Sequence, residues 1–93
     1  MLATQRFTFP SGVAFQRMGE EQDGVMMSLA SGYLYRCNRT ASLVLAALAA
    51  GQTVEEAAAD LSRHYGIPVE RAQHDVAKLI EDLSQRKLIC AAP

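Results

Sequence analysis

The chain has no tryptophan, only three prolines, two cysteines and six aromatic residues, and each scarcity excludes something. Cys37 and Cys90 form no C-x-x-C pair and no Cys/His cluster, which argues against a disulfide scaffold and for two plain thiols in a reduced compartment. No apolar run approaches the roughly 20 residues that a membrane span requires, and the opening Met-Leu-Ala-Thr-Gln-Arg has no signal-peptide core. The expectation is a cytoplasmic protein. Neither sign of charge dominates: nine basic and ten acidic residues leave a net charge of −1. From Thr53 onward seven acids face five bases, so that half would repel a polyphosphate.

Catalytic signatures are also missing. No glycine-rich phosphate loop occurs, and His64 and His74 have no partner at metal-ligand spacing. Cys37 could be imagined as a nucleophile with either histidine, but nothing near it in the sequence would lower its pKa. The chain reads as a non-enzyme that needs no metal and no cofactor.

What is present suits one domain over residues 1–93, which at this length buries roughly two thirds of its unfolded surface. Three strand candidates come first: Val13 to Met18, Val25 to Leu29, and Tyr33 to Cys37. The polar stretch Gly19 to Gly24 separates the first two, and Ala30-Ser31-Gly32 the second pair; connections this short imply an antiparallel meander. Pro10-Ser11-Gly12 breaks regular structure, which leaves residues 1–9 as an extended, flexible arm with Phe7 and Phe9 over the sheet or core.

Within Tyr33 to Cys37, tyrosine, tyrosine and cysteine alternate with Leu34 and Arg36, the two-residue period of a strand with one packed side. Asn38 then serves as a helix N-cap, and Ala41, Val44, Leu45 and Leu48 take up the helical period. This first helix, about Arg39 to Ala49, is apolar nearly all round and should be the central buried element, ended by Gly51. Thr53-Val-Glu-Glu56 is a capping box that opens a second helix, with a core face of Val54, Ala57, Ala58, Leu61 and Tyr65 and an end at Gly66. A third helix starts near Pro68 and carries a broad stripe of Val69, Ala72, Val76, Leu79, Ile80 and Leu83. Leu88 and Ile89 should pack back as a short tail. The fold class is α+β: a three-stranded antiparallel sheet followed by three helices, winged helix-turn-helix-like.

These residues carry a resemblance to a family. The runs Asp23-Gly24-Val25-Met26-Met27, Gly32-Tyr33, Arg36-Cys37-Asn38-Arg39-Thr40-Ala41, Val54-Glu55-Glu56-Ala57, Tyr65-Gly66 and Asp75-Val76, with Gly51, Leu79-Ile80 and Leu83, resemble PqqD-like proteins. These are the RiPP recognition elements, small winged-helix domains that bind the leader peptides of ribosomally made natural products. The likeness runs from about Pro10 to Ile89. Pro10-x-x-Val13 and the glycine-aromatic-x-x-x-x-Asn-x-Thr spacing are most similar to the stand-alone leader-binding proteins of lasso-peptide pathways. Cys37 departs from a common leucine, Ser42 from a common glycine, and Ser28-Leu29 from a common leucine-aspartate.

The resemblance implies that a leader lies antiparallel along the third strand, in a groove closed by the third helix. Tyr33, Leu34, Tyr35, Arg36 and Cys37 would form the strand side. Ala72, Asp75, Val76, Leu79 and Asp82 would form the helix side, with Val76 and Leu79 taking an apolar leader side chain and Asp75 a polar or basic one. Implied partners are a precursor's leader segment, a leader-cleaving cysteine protease and an ATP-dependent cyclase. Strand hydrogen bonds at about 0.5 to 1.5 kcal/mol each are largely cancelled by ordering the leader at about 1 to 2 kcal/mol per residue. A micromolar complex needs about 8 kcal/mol, so one or two buried anchors, by resemblance a tyrosine and a proline, must supply the surplus.

Each residue also has a plainer use. The tyrosines can simply pack the sheet, Arg36 can protect an exposed edge, Asp75 can be solvated or pair with Arg71, and the helix-three stripe is mainly core. Three other functions fit the topology: a peptide chaperone of another modified-peptide pathway, a DNA-binding winged helix, and an adaptor that dimerises through the same strand edge.

Overall fold

A computed structural model describes residues 4–17 and 23–92. Its elements are β1 (Phe7–Thr8), β2 (Val13–Arg17), β3 (Gly24–Ser28), β4 (Leu34–Cys37), α1 (Arg39–Ala49), α2 (Val54–Tyr65), α3 (Val69–Gln85) and β5 (Cys90–Ala91). β2, β3 and β4 form an antiparallel sheet in that order, and three helices follow, the expected α+β arrangement. Met18 and most of the connection expected at Gly19 to Gly24 lie outside the described residues.

The register settles which backbone groups are free. Ser28 pairs across to Tyr33, its N–H donating to the Tyr33 carbonyl at 3.0 Å, and the ladder continues through Met26↔Tyr35 and Gly24↔Cys37. Antiparallel ladders alternate, so Tyr33, Tyr35 and Cys37 turn their backbone groups toward β3, while Leu34 and Arg36 turn theirs to the open edge.

Local signals place the helices. Asn38 Oδ1 accepts from the Ala41 N–H at 2.8 Å and starts α1. At α2 the capping box is complete: Thr53 Oγ1 accepts from the Glu56 N–H, and Glu56 Oε1 accepts from the Thr53 N–H. That hydrogen bond from the Thr53 backbone, then one from its side chain, holds the Glu56 carboxyl below the usual range. Gly51 and Gly66 follow α1 and α2 with φ of 91° and 66°, the left-handed geometry that ends helices.

The core is centred on α1, with Val44, Leu45 and Leu48 meeting Met26 from the sheet, Leu61 from α2 and Val76 and Ile80 from α3. Leu88 and Ile89 pack back as expected. Ser42 is also fully enclosed, its hydroxyl donating to the Cys37 carbonyl at 3.4 Å. One expectation is corrected: Tyr65, assigned to the core face of α2, is 38% exposed, and Val69, the first residue of the broad α3 stripe, is 46% exposed. They are the last residue of α2 and the first of α3, where the helices diverge into the Gly66-Ile67-Pro68 turn. Pro68 caps α3 instead of entering its first turn. Near the N-terminus, Phe7 is buried, and Phe7–Thr8 pairs with Cys90–Ala91 in a two-stranded sheet that joins the two ends of the described chain.

Candidate functional site

The open edge of β4 faces α3 across a groove. One part, about 280 Å³, lies between Tyr35, Arg36 and Cys37 on the strand and Leu79, Asp82 and Arg86 on the helix side, with Ala41 and Leu83 also lining it. A second part, about 190 Å³, continues past the end of the strand under Asn38 and Thr40, over Val44 and Leu61, and reaches Asp75. Leu79 and Ala41 line both parts. The groove exists because Asn38 turns the chain from strand to helix at one end, and because the second half of α3 lies beside Tyr35 to Cys37.

The side chains divide by the strand's alternation. Cys37 is buried and Tyr35 half-buried on the inner face, with Tyr33 beside Tyr35 at 5.9 Å between ring centroids. Leu34 and Arg36 are exposed on the outer face, where Arg36 approaches Asp23 at 3.8 Å. At one end the groove is flanked by a bridge from helix to strand. Arg86 Nε donates to Asp82 Oδ1 at 3.2 Å, and its guanidinium carbon sits 5.7 Å from the centre of the Tyr35 ring. The hydrogen bond and charge of Asp82, and then the Tyr35 hydroxyl, push the Arg86 pKa further up.

The sequence-predicted residues therefore separate. Tyr35, Arg36, Cys37, Asp75, Leu79 and Asp82 come together around the groove. Ala72 and Val76 have no exposed surface and support the groove wall from within the core. Tyr33 and Leu34 lie on the strand beyond the hollow, each 62% exposed. Sequence reading missed Arg86, Asn38 and Ala41 as lining residues. The spacing Asp75, Leu79, Asp82, Arg86 follows one helix face and could have flagged Arg86.

Burial, the largest influence, pushes the Cys37 thiol up, which disfavours the thiolate. Among the described residues no group of three or more His, Cys, Asp or Glu could hold a metal ion, and no helix is long and apolar enough to cross a membrane.

Comparison with known families supplies the deciding observation. The model for "Coenzyme PQQ synthesis protein D (PqqD)" matches residues 23–89, more than half of the chain. The chain belongs to the PqqD family. Two solved structures share this PqqD fold. "TbiB1 in Complex with the TbiA(beta) Leader Peptide" is 16% identical, with a TM-score of 0.80 over 88% of this chain and 93% of that one. "Lasso peptide synthetase B1 complexed with the leader peptide" is 23% identical, with a TM-score of 0.80 over 95% of this chain and 99% of that one. No curated protein sequence matches significantly.

Proposed function

We propose that this PqqD-family protein binds the leader segment of a ribosomally made precursor peptide. The leader adds as a strand beside β4, and the bound precursor is presented to a leader-cleaving cysteine protease and an ATP-dependent cyclase, as in lasso-peptide biosynthesis. The observation that carries this is the edge at Leu34 and Arg36, unpaired among the described residues and leading into a groove whose wall includes Leu79, Leu83 and Ala41. The two proteins of like fold whose structures include a leader peptide support it.

The mechanism is capture. Backbone groups of Leu34 and Arg36 pair with the leader, and its alternate side chains drop between Tyr35 and Leu79. Tethering the leader raises the local concentration of the core peptide for the enzymes that act on it, so the protein needs no active site of its own.

Fluorescence anisotropy with a labelled synthetic leader peptide, its sequence taken from any short open reading frame found beside this gene, tests the proposal. Saturable binding is expected. Leu79→Asp should weaken it about tenfold or more by placing a charge against the apolar wall. Unchanged affinity in a folded variant would put the binding site elsewhere.

A further inference from the structure

We infer that the groove carries a charge code that selects the order of charged residues along a peptide bound antiparallel to β4. The code calls for a cationic residue toward the peptide's N-terminus and a carboxylate about five residues nearer the core peptide, a spacing set by helix and strand rises. This rests on the leader-binding reading above and deepens it.

The face of α3 that follows the groove runs Asp75, Leu79, Asp82, Arg86, so a carboxylate stands at one end and a guanidinium at the other. Asp75 is exposed at the rim of the apolar hollow beyond Asn38. The ion pairs among the described residues join Arg36 to Asp23, Arg63 to Asp60 and Arg86 to Asp82, so neither Arg71 nor Lys78, each one turn away, neutralises Asp75 by contact. A side chain with an apolar stem and a positive tip matches that hollow: the stem lies over Val44 and Leu61 and the tip meets the carboxylate.

The other end has the opposite character. Asp82 engages the Nε edge of Arg86, and the Tyr35 ring lies beside the guanidinium, so the group is held next to the strand edge. The terminal N–H groups not turned to the Tyr35 hydroxyl can still donate to a carboxylate.

Given a peptide antiparallel to β4, as the leader-binding reading has it, the order of the charges follows from topology. Asp75 lies beside Asn38, just past the last residue of β4, and Arg86 lies beside Tyr35, so α3 runs opposite to β4. A peptide antiparallel to β4 runs along α3 and meets Asp75 first. The eleven rises from Asp75 to Arg86 span about 16 Å of helix, which an extended chain covers in about five residues. Such exposed pairs contribute little to affinity but penalise the wrong arrangement, which makes them a specificity device.

The test uses two fluorescein-labelled synthetic leader peptides with the same apolar residues. One has lysine upstream and glutamate five residues later; the other has the two exchanged. Wild-type protein should prefer the first by about five- to thirtyfold at low ionic strength, less at physiological salt. The double variant Asp75→Lys, Arg86→Glu should reverse the preference. Equal binding of the two peptides, a preference that persists in the folded double variant, or a wild-type preference for the exchanged peptide each overturns the code and leaves leader binding standing. Failure of both peptides to bind wild-type protein overturns the code and the leader-binding reading together.

Discussion

Gly24 holds three elements in contact. A Cβ added there would stand 2.6 Å from Phe15 Cε1 and 2.7 Å from Ser42 Oγ, so β2 and α1 close over β3 only because nothing projects at this position. Gly24→Ala should lower stability by about 1 to 3 kcal/mol through overpacking. Urea unfolding measures this, and wild-type stability in the variant would mean that Phe15 and Ser42 can part at little cost. Close approaches of this kind were not legible in the sequence, where Gly24 reads as the end of a polar loop and Ser42 only as a departure from a common glycine of the family. Asn38, Thr53 and Glu56 were legible because their partners lie within three residues, and local hydrogen bonds need no tertiary information.

At the scale of elements, β4 has one edge committed to β3 and one edge open, and the two can be separated by mutation. Proline at Leu34 removes an outward N–H at the first residue of the strand, a position where sheets tolerate proline. Leu34→Pro should keep the fold by circular dichroism and weaken leader binding by about fivefold or more, the loss of one pairing site plus the bulk of the ring. Unaltered binding would mean that the leader does not add to this edge. The three central strands and all three helices were legible within a residue or so, because each has several turns or alternations of clear period. β1 and β5 were not: two residues carry no period, and their pairing joins positions more than eighty apart in the sequence.

At the scale of the whole molecule, the winged-helix topology would also permit DNA binding, and the surface argues against it. The net charge is −1, and the face of α3 along the groove carries Asp75 and Asp82 against Arg86, whereas duplex recognition depends on phosphate contacts by an excess of basic groups. The handover at Asn38 made the edge strand legible, while the groove beside it came only from the family resemblance. Its lining was legible only in part, since which of two adjacent positions on α3 faces the core and which faces the strand depends on how the helix rotates against α1 and α2. Val76 turned inward and Leu79 remained at the surface of the groove for that reason.

Strand addition makes a residue-by-residue demand that other modes of binding do not. In amide hydrogen exchange followed by NMR, saturating leader peptide should slow exchange at Leu34 and Arg36, whose N–H groups face the open edge. Tyr35, already paired with β3, should change little. That alternation is the predicted result. Leader binding with no added protection at Leu34 and Arg36 would contradict strand addition to β4.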